Sequence, residues 1–190
     1  NLVISGSTGF YIWDVKKKEH LWIKTTRELI NEMNYVPEFN LMIVTGASNQ
    51  VLIWDIELKK CIGSFEIENE LVPIRVIYSR KTKKIAFATF EGIVFIWKLE
   101  DFSCEKLYTG MLISGINFDE SGRYMVIASK NSKDLKIYDM KTGDMRVINS
   151  PDIWSYDATF FPDEKNILVI GTRQCTQIAV ENQSQNKRIY

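Results

Sequence analysis

The sequence predicts an all-β chain in which short antiparallel sheets follow one another, and three observations carry that prediction. A strand-like phrase recurs five times, as Tyr11-Ile12-Trp13-Asp14, Leu52-Ile53-Trp54-Asp55, Phe95-Ile96-Trp97-Lys98, Lys136-Ile137-Tyr138-Asp139 and Gln177-Ile178-Ala179-Val180. Its key position (Trp13, Trp54, Trp97, Tyr138, Ala179) advances by 41, 43, 41 and 41 residues. Polar turns rich in Asp, Pro, Gly and Asn separate the apolar runs, and these residues supply the preset or left-handed backbone angles that reverse a chain between antiparallel strands.

Each repeat is expected to hold four strands. In the third, Phe10, Val51, Val94 and Leu135 share a face with the isoleucines, while Val15, Ile56, Leu99 and Met140 share the other with the aromatics. Two apolar faces place that strand inside a stack of sheets. The second strand is the apolar run before it, at 2–5, 41–45, 85–89, 124–129 and 167–172. A first strand lies before the turns at 37–40, 79–84, 119–123 and 162–166, and a fourth follows at 20–23, 61–65, 104–108 and 145–148. No segment of useful length keeps a 3.6-residue apolar period, so no helix is expected.

Four antiparallel strands per 40–45 residues, with the third ending in Trp-Asp, describe a propeller blade. On Trp13-Asp14, Trp54-Asp55, Trp97, Tyr138-Asp139 and the turns at 119–122 and 162–163, the chain resembles the WD-repeat family over essentially its whole length. The expectation is a β-propeller segment of about four and a half blades within a larger propeller of the seven-bladed type. It divides into a partial blade at 1–27, blades at 28–67, 68–109 and 110–150, and a partial blade at 151–190 that closes after its third strand. The remaining blades are expected from the same parent chain. Typical members of the family carry a Gly-His pair before the first strand and an Asp before the third, joined with the Trp in a buried hydrogen-bond network. This sequence has no Gly-His pair, and Glu91 is the only acid in the tight turns before the third strand.

Charge and composition narrow the function. Lys plus Arg and Asp plus Glu are each 24, so there is no basic excess to recruit nucleic acid or an anionic membrane. No apolar run approaches the roughly 20 residues that span a bilayer, and residues 1–15 do not read as a secretory signal. Three scattered cysteines suit a reducing compartment, which places the chain in the cytoplasm.

His20, Cys61 and Cys104 are zinc-ligand types, but each falls seven residues after its blade's tryptophan, and Met145 holds the same column. A packing column explains them better, and no metal is expected. Cys175 has no histidine partner, and no phosphate loop, nucleophile elbow or zinc-protease helix is present, so neither catalytic residues nor a cofactor is expected. The tryptophans at 13, 54 and 97 read as packing positions. The lysine-rich stretches at 16–18 and 80–84 read as solvated turns.

Recognition then falls to loops on a rigid scaffold. The expectation is a non-catalytic protein–protein interaction scaffold, a subunit of a larger assembly, with other proteins as partners. The candidate contacts are Trp22, in an outer column with Gly63, Lys106 and Val147; Asn49, Glu91, Asn131 and Arg173, in the turns before the third strands; and Trp154, at the opening of a first strand, where core is the favoured reading and a partner-facing anchor the alternative. Divergent blades lacking Gly-His resemble those of large axonemal proteins, which leans the reading toward a cytoskeletal or ciliary complex. The rival is a propeller enzyme or small-ligand binder using the central channel, for which the first strands offer only Glu32, Arg75 and Asp157 as isolated charges.

Overall fold

The computed structural model describes residues 2–5, 9–24, 29–68, 71–101, 103–150, 154–180 and 186–189, with the backbone alone for 2–5, 21–24 and 186–189. Its described residues form five antiparallel sheets in chain order: an all-β, propeller-like series with no helix of useful length. The chain divides into two compact units, Asn1–Val76 and Ile77–Tyr190.

In the N-terminal unit, β1 (Leu2–Ser5), β2 (Gly9–Asp14) and β3 (Glu19–Lys24) make a three-stranded sheet, and β4 (Ile30–Val36), β5 (Leu41–Gly46), β6 (Gln50–Asp55) and β7 (Lys60–Glu66) a four-stranded one. The core here is Phe10, Met42, Val44 and Trp54, with the Phe10 and Trp54 rings edge to face at 6.0 Å.

The division between units falls within β8 (Pro73–Ser79), which begins a sheet completed by β9 (Lys84–Thr89), β10 (Ile93–Lys98) and β11 (Cys104–Tyr108). Next come β12 (Ile113–Phe118), β13 (Tyr124–Ser129), β14 (Asp134–Asp139) and β15 (Met145–Asn149). The last sheet is β16 (Ser155–Phe160), β17 (Asn166–Gly171), β18 (Cys175–Ala179) and β19 (Asn186–Ile189). The expectation that this blade stops after its third strand is corrected by β19, which pairs with β18 through Cys175↔Ile189 to Ile178↔Asn186.

The second strands β5, β9 and β13 are the most buried of their sheets, and burial alternates along the third strands. Phe10, Val51, Val94 and Leu135 are fully buried, whereas on the other face Val15 is exposed and Ile56, Leu99 and Met140 are half-buried. The aromatic column sits between these extremes: Trp54 is buried, and Trp13, Trp97 and Tyr138 are half-buried.

The Asp that follows the aromatic has a local cause. Asp14 Oδ1 accepts the amides of Lys16 and Lys17, both at 3.0 Å, Asp55 Oδ1 that of Leu58 at 2.8 Å, and Asp139 Oδ1 those of Lys141 and Thr142 at 2.8 and 3.3 Å. Each carboxylate thus closes the turn into the fourth strand. Where Lys98 replaces Asp, Asp101 takes the Ser103 amide at 2.9 Å instead, and Lys98 pairs with Glu105 across the hairpin at 2.9 Å.

Polar side chains stitch neighbouring first strands together at matching positions. In the N-terminal unit, Asn31 and Asn34 donate to the Pro73 and Val76 carbonyls at 3.0 and 3.4 Å, and Glu32 accepts the Val76 amide at 2.7 Å. In the C-terminal unit, Ser114 donates to the Ser155 carbonyl, and Asn117 to the Ala158 carbonyl at 2.8 Å and to Asp157 Oδ1 at 3.2 Å. The three first strands β4, β12 and β16 each carry a register shift near their start, flanked by Ile30/Glu32, Ile113/Gly115 and Ser155/Asp157. Gly115 allows a close approach: a Cβ there would lie 2.8 Å from Asp157 Cα.

Candidate protein-binding surface

An antiparallel four-stranded sheet sends its connections to two ends. The turn between the second and third strands and the segment joining one sheet to the next share one end, here called the link end; the other two turns share the opposite end. Backbone hydrogen bonds tie the link end together at the same place in three sheets, from the Ile67 amide to the Asn49 carbonyl (2.7 Å), Thr109 to Gly92 (2.9 Å) and Ser150 to Lys133 (2.6 Å). Ile67, Thr109 and Ser150 are buried, so each joining segment begins with a clamped residue. Gly92 is required by that clamp: its φ is +92°, and a Cβ would run into the Met111 carbonyl.

Within the C-terminal unit the sheets run the same way. The matched pairs Ser114–Ser155 and Asn117–Ala158 align β12 with β16, and at the opposite end the Ser121 amide reaches Glu164 at 3.1 Å. The two ends differ in chemistry. Phe90, Tyr108 (69% exposed), Trp154 (55%), Tyr156 and Ile170 all stand at or beside the link end. No large apolar side chain is exposed at the opposite end among the described residues of this unit. Its turns carry charges of both signs, such as Arg80, Lys81, Glu120, Arg123, Asp163 and Lys165.

The sequence candidates distribute unevenly over this surface. Glu91, Asn131, Trp154 and Arg173 are exposed at the link end of the C-terminal unit. Trp154 is not core, which corrects that reading: β16 begins at Ser155, so the indole precedes the first buried position of its strand. Asn131 is fixed by Ser129, whose hydroxyl donates to Asn131 Oδ1 at 2.6 Å. Asn49, in the N-terminal unit, is half-buried and donates from Nδ2 to the Ile67 carbonyl at 3.2 Å, so its amide builds the loop. Trp22 pairs with Tyr11 along the backbone, and its side chain lies outside the described residues.

The column of His20, Cys61, Cys104 and Met145 also needs correction. Each is the direct cross-strand partner of its blade's aromatic, as Trp13↔His20, Trp54↔Cys61, Trp97↔Cys104 and Tyr138↔Met145. The fourth strand has only one neighbour, however, so His20, Cys61 and Cys104 are exposed and Met145 is half-buried rather than packed. His20 stacks on Trp13 with ring centroids 5.8 Å apart. Among the described residues no group of three or more His, Cys, Asp or Glu is placed to hold a metal ion, and no helix is long and apolar enough to cross a membrane.

Sequence reasoning missed Phe90, Tyr156 and Ile170. Tyr108 ends the edge strand β11 opposite Ile93 and opens a blade-joining segment, one of the loops to which the sequence assigns recognition. No protein-family model matches the chain, and no curated protein is significantly similar to it.

Proposed function

We propose that this chain is a stretch of WD-type propeller blades that acts as a non-catalytic protein–protein interaction scaffold, with the link end of its C-terminal unit as the contact surface. The observation that carries the reading is the concentration of exposed Phe90, Tyr108, Trp154, Tyr156 and Ile170 at the link end of the C-terminal unit, against an opposite end of that unit with no exposed large apolar side chain among the described residues. Aromatic side chains gathered on a rigid rim are the residues that most often anchor a partner, and contiguous exposed apolar surface is uncommon without such a role. The WD-repeat assignment is supported by the recurring aromatic-Asp phrase and by the turn-closing role of Asp14, Asp55 and Asp139. Placement in a cytoplasmic assembly of cytoskeletal or ciliary type rests on the sequence resemblance alone.

The channel-enzyme alternative gains nothing from the first-strand carboxylates. Glu32 and Asp157 accept hydrogen bonds from neighbouring first strands, the Val76 amide and the Asn117 amide, and so act as fasteners between sheets. The scaffold reading is tested by affinity purification of the parent protein from native extract, comparing wild type with a Phe90→Ser, Tyr108→Ser, Trp154→Ser variant. Stoichiometric protein partners lost in the variant are the expected result; an unchanged partner set would overturn the assignment of this surface.

A further inference from the structure

The link end of the C-terminal unit also has a sign. Its exposed ionisable side chains among the described residues are Lys130 and Lys133 in the turn between β13 and β14, Arg173 in the turn between β17 and β18, and the single carboxylate Glu91 between β9 and β10. Neither lysine nor Arg173 forms a salt bridge with a described residue. This excess is local. The opposite end of the same unit alternates both signs, and the whole chain is neutral.

From this juxtaposition of unpaired cations and exposed aromatic rings we infer that the surface receives an acidic protein segment carrying one or more aromatic or aliphatic anchors. The inference rests on the protein-binding reading above and names its partner's chemistry. An apolar anchor would lie against Trp154 and Tyr156, which share one face at the start of β16, because desolvated aromatic contacts supply most of the affinity at such surfaces. Carboxylates flanking the anchor would face Lys130, Lys133 and Arg173, which steer the encounter and fix its register. Asn131, held by Ser129, and the loop backbone supply hydrogen bonds at the rim. A single-stranded nucleic acid could also use rings and cations, but three cations without a basic field around them are a weak phosphate track. The cations and the rings belong to different turns of adjacent sheets, so the occupant must be extended across several loops rather than seated in one pocket.

The test is a selection of random peptides displayed on phage, about 16 residues long, against the full chain. Three variants accompany wild type: Trp154→Ala, the triple reversal Lys130→Glu/Lys133→Glu/Arg173→Glu, and Lys141→Glu as a control at the opposite end. Circular dichroism confirms that each is folded, as substitution at exposed positions leads one to expect. Enriched peptides should pair Asp or Glu with an aromatic or leucine. Fluorescence anisotropy should then show at least about a tenfold loss for Trp154→Ala and for the triple reversal, none for Lys141→Glu, and weakening as salt rises. Peptides lost with Trp154→Ala but retained by the triple reversal would overturn the acidic partner and leave the binding reading standing. Enrichment indifferent to all the variants, or no enrichment, would overturn both. A labelled thymidine 20-mer that binds more tightly than any selected peptide would replace the proposed occupant with nucleic acid.

Discussion

Replacing Gly115 with alanine probes a close contact between the neighbouring strands β12 and β16 of the C-terminal unit. The new Cβ would lie 2.8 Å from Asp157 Cα and 2.9 Å from its Cγ, distances that real methyl groups do not tolerate. The carboxylate could rotate only by giving up the hydrogen bonds from the Ala158 amide at 2.8 Å and from Asn117 at 3.2 Å, and the Asp157 backbone cannot rotate away at all. Overpacking of this kind costs about 1–3 kcal/mol. Loosening the two hydrogen bonds adds about 1 kcal/mol, so the expected loss is about 2–4 kcal/mol. Gly63 serves as the internal control, because its added Cβ would meet nothing closer than Ile53 Cδ1 at 3.9 Å, an ordinary contact. Alanine there should be neutral or stabilise by roughly 0.5–1 kcal/mol through a less flexible unfolded chain. Urea unfolding followed by tryptophan fluorescence reads both. With a slope of about 1–3 kcal/mol/M, Gly115→Ala should lower the midpoint by about 1 M or more. A midpoint within about 0.2 M of wild type would refute the close approach of β12 and β16.

Two further outcomes follow from particular side chains. Trp54 Nε1 is buried without a hydrogen-bond partner among the described residues, so Trp54→Phe should change stability by no more than about 1 kcal/mol: the lost volume is offset by removing an unsatisfied donor. Trp54→Ala, which also removes the edge contact with Phe10, should cost about 3–5 kcal/mol in the same urea assay. Acid should destabilise the chain. The Arg123 guanidinium, 2.9 Å away, holds the Asp139 carboxyl below the usual carboxylate range, and hydrogen bonds do the same for Asp14 (from the Lys17 amide first), Asp101 (from Ser103) and Asp163 (from the Asn166 side chain). A folded value below the unfolded one, about 3.9, gives a contribution that is full above that pH and is lost as pH falls through the folded value. The urea midpoint should therefore stay level from pH 5 to 8 and drop below about pH 4, with a shallower drop in Asp139→Asn; a decline between pH 5 and 8 would contradict this.

The strands were legible because a two-residue alternation and a repeat near forty residues act together on the same positions. Turn residues set the rest: Asn40, Lys83, Gly122 and Glu164 all take left-handed φ in the turn between first and second strands, although only one is glycine. That conformation costs a non-glycine residue something, and the antiparallel pairing on either side enforces it. What the sequence concealed is governed by position within the sheet rather than by residue type. A column such as His20, Cys61 and Cys104 looks like packing until the fourth strand is known to be an edge. Trp154 looks like core until the strand is seen to begin one residue later. The inter-sheet fasteners did leave a trace, for Asn34 and Asn117 recur two blades apart, as do Asn31 and Ser114. Reading it requires knowing that first strands of neighbouring sheets lie side by side, which periodicity along a single strand does not reveal. The link-end apolar side chains are scattered through the sequence from 90 to 170, and only the alternation of antiparallel connections gathers them.

The measurement that bears most directly on the central claim is hydrogen exchange of the chain alone and within the native complex recovered from extract. The account predicts slowed exchange on assembly at residues 90–92, 108–112, 130–133 and 171–174, with 99–101, 119–123 and 140–144 unchanged. Protection confined to the second set, or equal at both ends, would contradict it.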